Sequence, residues 1–117
     1  MRYGLLIYTN EADRPAWGTP KGDAEAKGYD AFYGEVTQRG VLRGGDPLLR
    51  VAEAKTVRVR DGRPQIADGP AVQTSEQLGG YYIVECEDMD EALELAARIP
   101  GAGYGTIEVR PVLELTS

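Results

Sequence analysis

The side chains able to do chemistry in this chain are carboxylates, tyrosines and arginines, because it contains no histidine. Histidine is the one side chain whose unperturbed pKa lies near neutrality. Its absence excludes Ser-His and Cys-His nucleophile pairs, and one cysteine without histidine falls outside the usual zinc ligand sets. Acid–base work therefore falls to carboxylates or phenols with displaced pKa values. Two carboxylates stand in one suitable segment, Asp68 in Asp68-Gly69-Pro70 and Glu76 in Thr74-Ser75-Glu76-Gln77-Leu78. Placed close together, one would have its pKa raised by the other, giving a proton-transfer pair. Each also has a plain structural role, Asp68 as a turn former and Glu76 as a surface or capping residue.

Around that pair stand candidate ligand-binding residues. Gly79 and Gly80 would let a ligand or another backbone approach closely, although no Gly-x-Gly-x-x-Gly opens a helix here. Arg110, between Val109 and Pro111, can hold a carboxylate from a ligand or from Asp68 or Glu76; an internal salt bridge is its bland alternative. Tyr8 and Tyr82 offer an apolar wall with a polar tip, with core packing expected of at least one. Trp17 lies in a Pro/Gly-rich loop and is expected to pack over the helix, unless it is exposed to lid a pocket or cover the partner subunit. Cys86 cannot form an internal disulfide and is expected to be an inert core thiol. These residues call for no cofactor and no metal.

The elements that must position them are limited by size. A chain of 117 residues fits one domain, 1–117, and its 42% apolar content suffices for a packed interior. A domain this small leaves much surface exposed, so a homodimer is a natural way to complete the core. The net charge of −6 argues against a nucleic-acid surface. The basic cluster Arg58, Arg60 and Arg63, interrupted by Asp61, is expected to be a solvated strand face. No secretory leader is legible, no run approaches the roughly 20 apolar residues of a membrane span, and a cytoplasmic location is the simplest fit for a free thiol.

Residues 2–9 predict a central strand covered on both sides. Residues 10–22 are loop chemistry. Tyr29, Phe32, Tyr33 and Val36 fall at i, i+3, i+4 and i+7 and predict a helix from about Asp23 to Arg39, with Gly40 at its end. Gly28 and Gly34 inside it either weaken it or mark close packing. Val41–Leu49, with Gly44-Gly45-Asp46-Pro47, predicts a broken or bulged strand. Thr56–Arg60 alternates with period two, and Asp61-Gly62 predicts a type I′ hairpin returning through Arg63–Ala67. Residues 80–85 predict another strand. Asp88 with Glu91 forms an Asp-x-x-Glu capping box for a helix whose apolar stripe is Met89, Ala92, Leu93, Ala96 and Ile99. Thr106–Leu115 predicts a last strand. The order β-α-β-(hairpin)-β-α-β is that of an α+β, ferredoxin-like subunit with an inserted β-hairpin, two helices lying on one face of an antiparallel sheet. The other face is left for a partner.

In order along the chain stand Leu-Leu-Ile-Tyr at 5–8, Gly-Gly-Asp-Pro-Leu at 44–48, Thr-Val-Arg-Val-Arg-Asp-Gly at 56–62 and Asp-Gly-Pro at 68–70. Glu-Gln-Leu-Gly-Gly-Tyr-Tyr at 76–82, Asp-Glu-Ala-Leu at 90–93 and Glu-Val-Arg-Pro-Val at 108–112 complete the set. The set resembles the YCII-related family, specifically its DGPF branch, over essentially the whole chain. The resemblance implies a dimeric α+β barrel of ferredoxin-like subunits with a cleft beside the dimer interface. Other branches carry a His-Asp pair for which this chain has no histidine, and Ala71 stands where the branch usually has Phe. The resemblance also implies a conceivable regulatory link, because some members occur beside alternative sigma factors. The expectation is a dimeric small-molecule-binding protein with its cleft near 68–82 and Arg110. The alternatives are an enzyme using Asp68 and Glu76 on a small polar substrate, and an interaction module for a sigma factor.

Overall fold

A computed structural model describes residues 1–115. Strand β1 (Arg2–Thr9) leads through a loop to helix α1 (Pro20–Gln38) and strand β2 (Leu42–Pro47). Strands β3 (Lys55–Arg60) and β4 (Arg63–Asp68) form the inserted hairpin, and β5 (Gln77–Glu85), helix α2 (Met89–Ala96) and β6 (Thr106–Pro111) complete the chain. The main sheet runs β2-β5-β1-β6, every neighbouring pair antiparallel. That is the ferredoxin-like arrangement the element order predicts.

Local sequence sets the helix ends. Helix α1 begins three residues earlier than the hydrophobic stripe indicates, because Thr19 is its N-cap, accepting from the Gly22 amide at 3.1 Å, and Pro20 occupies the first turn. Its far end is a full Schellman motif. Gly40 takes φ +72°, its amide bonds to Thr37 O, and the Val41 amide reaches back to Val36 O. Gly28 is a close-packing point, since a Cβ there would lie 2.8 Å from Pro100 Cγ, whereas Gly34 faces open space. In α2, Asp88 accepts from the Glu91 amide, but the reciprocal arm differs from a standard box: Glu91 Oε1 accepts from the Glu87 amide, one residue before the cap. The predicted stripe also needs one correction. Leu93 is 49% exposed and Leu95 is fully buried, because Ala92, Leu95, Ala96 and Ile99 share the face that meets the sheet.

One core lies between helices and sheet. Tyr3, Leu5 and Ile7 of β1 and Val84 of β5 meet Phe32 and Val36 of α1 and the buried face of α2. Alternation then sends Gly4, Leu6 and Tyr8 to the opposite face, alongside Leu78, Tyr81 and Ile83. Strand β1 is therefore covered by helices on one side, and within this chain its second face is only half-buried. The chain forms a plate with Cα extents of 48 × 46 × 18 Å.

The hairpin closes on itself as Asp61-Gly62 predicts, with positive φ of 53° and 73°. Val57 pairs with Ile66 and Val59 with Pro64 on one face, and all four are exposed. Arg58, Arg60 and Arg63 are solvated, as expected of that strand face. Trp17, expected to pack over the helix, is instead 100% exposed. No helix among the described residues is long and apolar enough to cross a membrane.

Cys86 is buried in the core, and its thiol pKa is pushed up from 9.0 to about 11, by burial first and then by Glu91. The group therefore stays protonated at neutrality and unreactive. A thiol reagent such as DTNB at pH 8 is expected to label the folded protein slowly and the guanidinium-unfolded chain at once. A pKa raised on folding contributes stability that is full below pH about 9 and lost as pH rises through about 11. Rapid native labelling would contradict the buried assignment.

Candidate functional site

On the helix side lies a cavity of about 690 Å³ between α1 and the β2–β5 edge of the sheet. Two irregularities in the ladder shape it. Between β1 and β5 the register steps from Ile7↔Gly80 to Tyr8↔Leu78, so Gly79 is the extra residue of a bulge. Between β2 and β5 it steps from Leu42↔Val84 to Gly44↔Ile83, so Arg43 is the extra residue. Bulges re-aim side chains, and both of these residues line the cavity.

Apolar walls come from Ile7, Leu42, Pro47 and Leu48, and aromatic ones from Tyr29, Tyr33, Tyr82 and Tyr104. Tyr82 also packs against Phe32 with ring centroids 4.9 Å apart at 57°, so it serves wall and core together.

The polar end is built by three distant segments. Arg14, in the loop before α1, donates from Nε to Thr9 Oγ1 at 3.0 Å. Its Nη2 lies 4.0 Å from Glu11, whose carboxylate accepts from the Val51 amide. The guanidinium lies directly over Gly79, where a Cβ would come within 2.3 Å of Nη2. Only glycine admits the arginine there. Across the cavity, the Tyr104 hydroxyl donates to Glu25 Oε1 at 2.5 Å. Burial, reinforced by that bond, holds the Tyr104 phenol protonated far above its ordinary range. Tyr29 is pushed up to about 12 by burial and then by the Glu25 charge, with the Gly101 backbone opposing. The site thus combines a cation, a carboxylate and two neutral phenols in an apolar surround.

The residues singled out in the sequence do not all meet here. Gly79, Gly80 and Tyr82 line this cavity. Tyr8 and Glu76 line a second, more open trough of about 800 Å³ between the outer sheet face and the hairpin base. Glu76 there accepts from Thr106 Oγ1 at 2.8 Å. Asp68 lines neither and is ion-paired with Lys55 at 2.5 Å at the root of the hairpin. Arg110 projects from β6 beside Glu108 at 3.8 Å, largely exposed on the outer face. The structure therefore brings Asp68 and Glu76 into no common pocket, and it separates Arg110 from both. Sequence reading missed Arg14, Glu25, Tyr29 as a site residue, and Tyr104. The one available signal was Gly79-Gly80, which marks a close approach without saying by what.

Fold and motifs together define the class: the chain belongs to the YCII-related domain family, which matches residues 1–116. It is 32% identical over 114 residues to an uncharacterised protein of Rhizobium meliloti (strain 1021), covering 96% of this chain and 92% of that one. Among solved structures it is similar to the 5-chloro-2-hydroxyhydroquinone dehydrochlorinase of Burkholderia phenoliruptrix AC1100, in complex with 2,5-dihydroxybenzoquinone. The identity is 17% and the TM-score 0.51, covering 97% of this chain and 94% of that one. A likeness at that identity carries the ferredoxin-like fold and no residue roles.

Proposed function

We propose that this chain is a homodimeric small-molecule-binding protein whose ligand occupies the cavity between α1 and the β2–β5 edge. The observation that carries the reading is Arg14, whose side chain is only 22% exposed and whose two terminal nitrogens donate no hydrogen bond among the described residues. Its Nε is taken by Thr9 and its Nη2 stands at ion-pair distance from Glu11, which leaves solvent-reachable Nη N–H groups at the cavity wall for a ligand's oxygens. A volume near 690 Å³ falls in the range of ordinary ligand sites. The dehydrochlorinase of similar fold was solved holding a small quinone, which supports a small-molecule role for this architecture.

The homodimer is supported by the outer sheet face, where Leu6, Tyr8 and Ile83 remain half-buried and Leu78 exposed. The exposed apolar face of the hairpin adds to it, because a two-stranded ribbon is marginal alone. The chain's motif set further supports placement in the DGPF branch.

Native mass spectrometry and crystallography of the purified protein test the reading together. The expected result is a retained or soaked small molecule with density in this cavity, on a particle of twice the chain mass. Ligands found only in the outer trough, or a monomer at micromolar concentration, would overturn the corresponding half.

A further inference from the structure

Resting on that reading of the cavity, we infer that the ligand is a flat, hydroxylated ring bearing one negative charge, with its anionic oxygens on Arg14 and a hydroxyl at the Glu25–Tyr104 pair. Flatness follows from the walls. Tyr29 and Tyr82 line the cavity beside Ile7, Leu42 and Pro47, and aromatic surfaces favour stacked or edge-on rings over branched aliphatics.

The charge follows from Arg14. Its Nε is fixed by Thr9, which leaves the forked Nη edge for two oxygens of one anionic group. Glu11, at 4.0 Å, lies beyond hydrogen-bond reach and is itself held by the Val51 amide. The other cavity arginine is held by local backbone at the exposed sheet edge, where Arg43 Nη1 donates to the Gly40 and Leu42 carbonyls. The carboxylate at the mouth is engaged too, Asp46 accepting from Tyr81 at 3.1 Å.

The hydroxyl follows from Glu25. One of its oxygens accepts the Tyr104 hydrogen bond, and a carboxylate has acceptor capacity left for a ligand O–H. A second carboxylate on the ligand would meet Glu25 as a like charge and be rejected. The site therefore discriminates one anionic group from two.

Calorimetric titration of the whole protein with four probes separates these features. The probes are 2,5-dihydroxybenzoate, benzoate, hydroquinone and cyclohexanecarboxylate. The dihydroxybenzoate is expected to bind about tenfold or more tighter than hydroquinone, which lacks the charge, and than benzoate, which lacks the hydroxyls. Cyclohexanecarboxylate is expected to be weakest. Arg14→Met should lower dihydroxybenzoate to the level of hydroquinone, and Arg14→Lys should restore part of the loss. Glu25→Gln should shrink the gap between dihydroxybenzoate and benzoate. Circular dichroism establishes that each variant folds. Probes that occupy the cavity with equal affinity whatever their charge would overturn the ligand class and leave the cavity reading standing. Probes that bind wild type and Arg14→Met alike with density outside the cavity would overturn both.

Discussion

Leu5→Ala is expected to lower stability by about 2–5 kcal/mol, the usual range for truncating a fully buried leucine. Leu5 has no exposed surface and lies at the middle of β1, opposite Tyr82 on β5 and Val109 on β6. Both helices pack over this part of the sheet, so no loop can collapse into the space left behind. A domain of this size loses roughly 4 °C of thermal midpoint per kcal/mol, so a fall of about 10–20 °C is expected by scanning calorimetry. Leu93→Ala is the matched control. It removes the same atoms from a side chain that α2 leaves half in water, and its midpoint should move by no more than a few degrees. Equal shifts for the two variants would contradict the burial pattern that defines the core.

Gly79→Ala is expected to leave the midpoint within a few degrees of wild type and to weaken binding of 2,5-dihydroxybenzoate about tenfold or more. The added methyl would overlap Arg14 Nη2 at 2.3 Å and approach its Cζ at 3.3 Å. Both atoms belong to the far end of a flexible side chain, so the arginine swings aside and the fold is kept. What is lost is the fork that the anion needs. Because Gly79→Ala and Arg14→Met remove the same interaction, the double variant should bind no worse than Arg14→Met alone, which a double-mutant cycle by calorimetry reads directly. Gly105→Ala gives the contrast. Its Cβ would also lie at 2.3 Å from a neighbour, but that neighbour is the Tyr8 carbonyl oxygen, and backbone does not step aside. Its effect should appear in the melting curve. Additive losses in the Gly79/Arg14 cycle would refute the shared mechanism.

The architecture was legible because each element announces itself locally. Period-two alternation and Asp61-Gly62 define the hairpin, and the apolar stripe with Gly40 defines α1. The errors are local as well. The hydrophobic stripe does not reach the start of α1, because Thr19-Pro20 stands among the Pro and Gly of the loop, although a threonine followed by proline is itself a cap and first turn. Leu93 was chosen over Leu95 because a short helix offers too few turns to fix the phase of its stripe.

The site was legible only in part, for a different reason. Gly79, Gly80 and Tyr82 were singled out and do line the cavity. Arg14 and Tyr104 are separated by most of the chain and meet only after β1 is seated between β5 and β6. Asp68 and Glu76 stand close in sequence, yet Asp68 ends the hairpin and pairs with Lys55 while Glu76, just before β5, accepts from Thr106. Proximity along a loop is a weak guide to proximity in space when its two ends belong to different sheets.

The sheet order also fixes a timetable for synthesis. The central strand is the first made, and its two neighbours are the last: β1 must wait for β5 and then for β6. The closing bonds are made late too, from the Val112 amide to Arg2 O and from Arg2 to Glu114. The hairpin needs only its own residues and can zip while still near the ribosome, but contacts between distant strands form slowly. Until residue 106 has emerged, the Leu5-Leu6-Ile7 segment is an apolar ribbon with an open edge, the kind of segment chaperones hold. Completion of the main sheet thus waits for β6, and until then the most buried strand of the domain stands in the open.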